Sequence, residues 1–184
     1  MIAARDLYIA WSDIPQYWRW ISLPESRFPE VAELLNACWF HVRGSISTKM
    51  LSSGTCYVAY LVFARKSGVD KFDLPAEAFV ELNGHESERQ RVFLGRERGH
   101  RSFYRRLPRL VRQKQTVEDS VAESNAKYPK PRSDGWIEVE LGEYFVEGRE
   151  DDDLELGLIE YNDYYGKSRL IVQGIELRPK AVSR

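Results

Sequence analysis

Apolar and polar residues alternate along several short runs of the chain, and this pattern is its strongest structural signal. The segment WIEVEL at 136–141 places its aliphatic side chains on one face and its two glutamates on the other, as expected for a half-buried strand. Residues 38–46 alternate in the same way. The run TCYVAYLVFA at 55–64 is apolar on both faces, which predicts a central, doubly covered strand. We expect these last two runs to form a hairpin.

Further short runs predict more strands, separated by turn residues. One segment, VAELL at 31–35, is interpreted as a helical turn, and 95–131 as a long, irregular insertion with one short helix at 102–113. The pattern therefore predicts an all-β protein, a β-sandwich or barrel, forming a single domain over residues 1–184. The remaining predicted strands cover residues 7–11, 78–82, 91–94, 154–160 and 170–177.

Three tryptophans, Trp11, Trp18 and Trp20, lie within ten positions of a segment that starts as a strand and then bends at Pro15. Such rings either fill the core or lie flat in a shallow binding site. The polar residues between them mark a loop, and loops lie on the surface and carry function. The position in a loop therefore favours a ligand-binding site for the three tryptophans as a group. Trp39 and Trp136, on predicted strands, are expected in the core.

Composition narrows the range of functions. The 184 residues carry a formal net charge of −1, so the whole chain has no overall attraction for nucleic acid or anionic membranes. No apolar run reaches the roughly 18 residues that a membrane span needs, and the N-terminus lacks the apolar core of a secretory signal. Cys38 and Cys56 lie in apolar runs and are expected as buried free thiols. These features predict a reduced, cytoplasmic setting.

Enzyme signatures are not found in the sequence. The three histidines have no metal-ligand spacing, and no nucleophile motif, phosphate loop or cofactor fingerprint occurs. We therefore expect no catalytic residue, no metal and no cofactor. The aromatic and acidic loops instead match sugar recognition, in which rings pack on the apolar face of a pyranose and carboxylates accept hydroxyl hydrogen bonds. The candidate residues are Trp11, Trp18, Trp20, Glu160, Asp163 and Tyr165.

A basic segment offers a second interpretation. Residues 89–114 hold ten lysines or arginines and one acid, Glu97, with Phe103 and Tyr104 among them. Such a segment can contact RNA phosphates and stack on bases. Solvated loop charge is the more usual meaning of such a run, so RNA binding is not favoured.

Four segments, in order, resemble the plant phloem protein 2 family, which includes the Nictaba-type lectins. They are AARDLYIAWSDIPQYWRW at 3–20, VAELLNACWFHVRGSISTKMLSSGTCYVAYLVF at 31–63, RSDGWIEVELGEYF at 132–145 and GKSRLIVQGIELRPK at 166–180. The resemblance implies a sandwich of jelly-roll type and a non-catalytic lectin. The implied ligands are N-acetylglucosamine oligomers (chitooligosaccharides) or the chitobiose core of N-glycans.

The resemblance also implies site residues. The family's sugar-site tryptophans match Trp11 and Trp18, and its two site acids match Asp153 and Glu160, with an aspartate at 153 in place of the usual glutamate. Gly166 stands where the Nictaba-type lectin of tobacco has a tryptophan, so Tyr164 or Tyr165 is a candidate to replace that ring. Because Glu160 shares the register of inward-facing leucines, we expect the chain to turn at Tyr161 and deliver the carboxylate to the rim of the site.

The setting and partners follow from the same resemblance. It implies a cytoplasmic or nucleocytoplasmic lectin, or one in phloem sap, and a homodimer would strengthen a shallow site by presenting two copies. No F-box is found ahead of the domain, so the ubiquitin-ligase members are expected to match less well. The alternative is a phloem-mobile adaptor that binds RNA or protein through the Arg-rich segment.

Overall fold

The computed structural model describes residues 1–68, 72, 74–83, 89–95, 126–148, 152–161 and 166–181. Within these residues the regular structure is nearly all β, with three-residue 3-10 turns at Ala4–Asp6 and Thr48–Met50. Two antiparallel sheets pack face to face, which confirms the predicted all-β sandwich. The strands are β1 (Ile2–Ala3), β2 (Tyr8–Ile9), β3 (Trp18–Ile21), β4 (Val31–Leu34), β5 (Phe40–Ser47), β6 (Cys56–Arg65), β7 (Ala76–Leu82), β8 (Gln90–Val92), β9 (Lys130–Pro131), β10 (Ile137–Phe145), β11 (Asp153–Glu160) and β12 (Leu170–Pro179).

The larger sheet has seven strands in the order β3-β4-β12-β6-β10-β9, with β1 added alongside β12. Strand β6 lies between β10 and β12, which confirms the central position predicted for this doubly apolar run. The register of β12 shifts at Gly174, opposite Ala3 of β1. A Cβ at Gly174 would collide with the carbonyl oxygen of Ile2, so only glycine lets β1 approach this closely.

The smaller sheet has five strands in the order β2-β5-β11-β7-β8. Its central strand, β11, turns Leu154, Leu156 and Leu158 into the space between the sheets, where all three are fully buried. From the facing sheet, Leu61 and Phe63 of β6 fill the same core. The inward register predicted for this strand is confirmed.

Two local predictions are wrong. Strands β5 and β6 do not form a hairpin: β5 pairs with β2 and β11, whereas β6 belongs to the opposite sheet. Residues 31–34 form strand β4 rather than a helical turn, because they pair with both β3 and β12. Long-range pairing decides both cases, and it leaves no trace in a local pattern.

The outcomes for the predicted helix, the cysteines and the membrane spans differ. The helix expected at 102–113 lies outside the described residues, and the described end of the insertion, Lys130–Pro131, is a strand paired with β10. Both cysteines are free, but Cys38 is exposed and Cys56 half-buried, so the expectation of buried thiols is wrong. None of the helical segments among the described residues has the length and apolarity to cross a membrane.

The outer face of the larger sheet carries a charge network centred on Arg132. Its guanidinium contacts the Glu138 carboxylate at 2.8 Å and the Glu176 carboxylate at 2.6 Å. Arg178 also binds Glu138, at 2.7 Å. Despite the penalty of partial burial, these cations hold the pKa of Glu176 below its ordinary value. The glutamates of β10 are therefore paired rather than simply solvated.

Candidate functional site

Trp11 lies in the loop between β2 and β3, in a backbone conformation that few residues adopt. Its φ is +60°, in the left-handed region, and its side chain is 39% exposed. Tight turns hold it there, with the Ser12 amide donating to the Ile9 carbonyl at 3.1 Å and the Ile14 amide donating to the Trp11 carbonyl at 3.0 Å. A bulky residue held in this region is strained, and such strain clusters at functional sites.

The two neighbouring tryptophans support this loop from within. The Trp18 indole N–H donates to the Ala10 carbonyl at 3.0 Å, and that of Trp20 donates to the Ser12 carbonyl at 3.3 Å. These two carbonyls flank Trp11 on either side. Trp18 is only 3% exposed, whereas Trp20 is half-buried. Neither matches the expectation of an open platform ring, and Trp18 in particular is a core residue.

Trp39 and Tyr161 continue the register in which Phe40 of β5 pairs with Glu160 of β11. The Trp39 ring stacks on Trp11 with centroids 5.4 Å apart and planes 20° apart. Tyr161 meets Trp39 at 5.7 Å in an edge-to-face contact. Trp39 is 40% exposed and Tyr161 56%, so the expectation that Trp39 lies in the core is wrong.

Tyr17 also contacts Trp11, at a centroid distance of 5.4 Å and with the ring planes tilted by 42°. We call these four residues, Tyr17, Trp11, Trp39 and Tyr161, the aromatic ladder. Strand alternation contains the missed signal. Since Phe40 points inward, its neighbour Trp39 must point outward.

Glu160 is the buried neighbour of Tyr161 in the chain. Its side chain is 3% exposed and forms an ion pair with Lys167, whose ammonium is 2.8 Å away and equally buried. Lys167 also donates a hydrogen bond to the Cys38 carbonyl. Burial lowers the pKa of Lys167 to about 8. The Glu160 carboxylate therefore keeps the inward register but faces an internal cation instead of the rim of the site.

The remaining predicted residues do not join this cluster. Asp153 is exposed at the opposite end of β11, about 23 Å from Glu160 at roughly 3.3 Å per residue. Asp163, Tyr164 and Tyr165 lie outside the described residues. A Cβ at Gly166 would collide with the side-chain oxygen of Asn36, so the tryptophan that the resemblance places there would require the exposed Asn36 side chain to move.

Exposed polar side chains border the ladder along the chain. Asp13 and Gln16 follow Trp11 in the loop, and Asn36 precedes Trp39. Carboxylate and amide groups provide acceptors and donors that match sugar hydroxyls and acetamides. Among the described residues, the structure shows no group of three or more histidine, cysteine or acidic side chains arranged to hold a metal. The arrangement suits stacking and hydrogen bonding of a neutral ligand.

Comparison with known proteins identifies the family of the chain. A family model described as phloem protein 2 matches residues 1–179. The chain belongs to the phloem protein 2 family. It is 40% identical over 210 residues to the Arabidopsis thaliana F-box protein PP2-B1, covering 98% of this chain and 62% of that one. It is also 38% identical over 190 residues to F-box protein PP2-B10 of the same plant, covering 99% of this chain and 60% of that one.

These matches correct one expectation and support another. The chain spans 51% to 62% of the length of the first relatives it matches, and several of these are named F-box proteins. The expectation that the F-box members would match less well is therefore wrong. Membership of this lectin-like family supports a carbohydrate-binding role in general.

Proposed function

We propose that this domain is a non-catalytic lectin that binds β-1,4-linked N-acetylglucosamine oligomers, or the chitobiose core of N-glycans, at the aromatic ladder. The observation that carries the proposal is the stacked pair of Trp11 and Trp39, each left about 40% exposed. Tryptophan is highly buried on average. Two exposed, mutually ordered indoles held by a strained loop are typical of a ligand platform.

The number of connected rings supports an oligomer over a single sugar. Successive rings lie 5.4 to 5.7 Å apart, a spacing comparable with the width of a pyranose. Because the rings already contact one another, a ligand meets their exposed faces and edges along a shallow surface. Several sugars in a row would each gain a small apolar contact, so affinity rises with chain length and then levels off.

Polar groups at the edge would give the selectivity that stacking lacks. We assign this task to Asp13, Gln16 and Asn36, whose side chains are exposed beside ladder residues. A carboxylate accepts from hydroxyls, whereas an amide pairs with an acetamide in both directions. Glu160 drops out as a direct contact in this proposal because its carboxylate is engaged with Lys167.

Titration calorimetry with N-acetylglucosamine and its di-, tri- and tetrasaccharides tests the proposal. Affinity should increase up to the trisaccharide, and Trp39→Ala should weaken trisaccharide binding by roughly 1–2 kcal/mol, about the value of one aromatic stacking contact. Phe145→Ala is the matched control, since Phe145 is 52% exposed at the end of β10, in the other sheet. Equal losses in both variants, or no binding by the wild type, would contradict the proposal.

A second candidate function is that of a protein-binding adaptor, which the F-box relatives favour. In a longer F-box protein, this domain would select the target. Pull-down of a glycoprotein before and after enzymatic removal of its N-glycans separates the two functions. Capture that survives deglycosylation supports the adaptor. RNA binding is the weaker form of this candidate because the chain carries a formal net charge of −1.

We further propose a cytoplasmic or nucleocytoplasmic location and a homodimer. The free Cys38 and Cys56 suit a reducing compartment. A dimer would present two shallow sites to one multivalent glycan. Sedimentation velocity over a range of protein concentrations tests the dimer.

A further inference from the structure

The buried ion pair of Glu160 and Lys167 connects the two chain segments that carry Trp39 and Tyr161. Glu160 immediately precedes Tyr161. Lys167 forms a two-way backbone bridge with Ala37: the Ala37 amide donates to the Lys167 carbonyl at 3.0 Å, and the Lys167 amide donates to the Ala37 carbonyl at 2.7 Å. The Lys167 ammonium then donates to the Cys38 carbonyl, one residue before Trp39.

Removing both charges of this pair from water costs solvation free energy. Both side chains are only 3% exposed, and burial lowers the pKa of Lys167 to about 8. Replacing a buried ion pair with apolar residues of similar volume is often neutral or stabilising. Overall stability therefore gives little reason for this pair. What an apolar side chain cannot provide is a directed hydrogen bond to the Cys38 carbonyl.

We infer that Lys167 is a positioning residue: its ammonium, oriented by Glu160, fixes the backbone at Cys38 and thereby holds Trp39 against Trp11 and Tyr161. The inference rests on the proposed function, because it names what shapes that same site. It also assigns Glu160 an indirect role, through Lys167, in place of direct contact with sugar. The pair thus determines ring geometry rather than ligand hydrogen bonding.

The test combines chitotriose titration with circular dichroism of the double variant Glu160→Leu/Lys167→Met, which removes both charges of the pair. Two indoles stacked at 5.4 Å couple their electronic transitions and give a paired dichroic band. The difference spectrum between wild type and Trp39→Phe isolates that band. A second variant, Glu160→Gln/Lys167→Met, serves if the first fails to fold.

The matched control is Arg132→Met/Glu176→Leu, which removes an ion pair of 2.6 Å on the outer face of the larger sheet. We expect the Glu160/Lys167 variant to fold, to lose about tenfold in chitotriose affinity and to show a weakened indole band, while the control keeps both properties. A merely structural pair would change the melting temperature alone.

Two other outcomes would overturn the inference. Weaker chitotriose binding with an unchanged indole band would make Glu160 a direct ligand contact. Unchanged chitotriose affinity with an altered indole band would show that the geometry of the rings does not determine binding. If the wild type itself fails to bind chitotriose, the proposed function fails, and the indole band alone decides whether Lys167 positions Trp39.

Discussion

The left-handed backbone of Trp11 allows the strain and the binding role of this residue to be measured separately, by comparing Trp11→Gly with Trp11→Ala. Both changes remove the same indole and its contacts with Trp39 and Tyr17. Only alanine keeps a Cβ at a φ of +60°. The difference between the two variants therefore reports the backbone conformation and not the lost ring.

The expected difference in unfolding free energy between the two variants follows from two known contributions. A Cβ in the left-handed region costs about 1–2 kcal/mol, which glycine avoids. Glycine in turn loses roughly 0.5–1 kcal/mol because its unfolded chain has more freedom. Taking the midpoints of these ranges, we expect Trp11→Gly to be more stable than Trp11→Ala by about 0.75 kcal/mol, or roughly 1.5–3 °C in melting temperature for a chain of this size. Both variants should lose chitotriose binding.

Urea unfolding of the two variants, monitored by far-ultraviolet circular dichroism, gives the stability difference, and calorimetry gives the affinity. If the alanine variant equals or exceeds the glycine variant in stability, the backbone of Trp11 is not strained as described. If Trp11→Gly still binds chitotriose as tightly as wild type, the ladder is not the binding surface.

The remaining predictions concern the scaffold. Trp18→Ala removes a 3% exposed indole and its hydrogen bond to the loop, so it should cost about 3–5 kcal/mol in unfolding free energy, whereas a surface ring would cost far less. Gly174→Ala should destabilise the protein by about 1–3 kcal/mol and expose β1 to amide hydrogen exchange, because its Cβ meets the Ile2 carbonyl; unchanged exchange would refute this. The pKa values of Glu33 and Glu176 are lowered in the folded protein against the penalty of burial, by Lys66 and Arg19 and by Arg132, respectively. Their stabilising contribution is therefore present above about pH 4.3, the ordinary glutamate value, and is lost as the pH falls below it. Urea midpoints at pH 6 and pH 3 should differ less for Glu176→Gln than for wild type, and an equal difference would count against the assignment.

The local sequence pattern predicted where the strands lie more accurately than it predicted which strands pair with each other. The doubly apolar run at 55–64 identified a central strand, and the alternation at 136–141 identified the buried face of β10. Neither pattern states which strand lies alongside. The wrong β5–β6 hairpin arose because consecutive strands of a sandwich can cross to the opposite sheet, where both still bury alternate residues.

The candidate site was only partly accessible from sequence. Trp11 was found because three tryptophans in a polar loop are unusual. Distinguishing it from Trp18 required tertiary hydrogen bonds that no spacing reveals. Trp39 was missed, although the inward position of Phe40 determines that it points outward. The partner of Glu160 was inaccessible, since Lys167 meets it only through the fold.

The central claim is that sugar contacts Trp11 and Trp39 while the other tryptophans support or lie apart from the site. The chain has five tryptophans, so a proton–nitrogen correlation spectrum contains five indole N–H signals, assignable by single replacements. During titration with chitotriose, we predict large, saturable shifts for Trp11 and Trp39, smaller ones for Trp18 and Trp20, and none for Trp136, which is buried in a separate cluster. Shifts led by Trp136, or five unmoved signals at saturating sugar, would contradict the account.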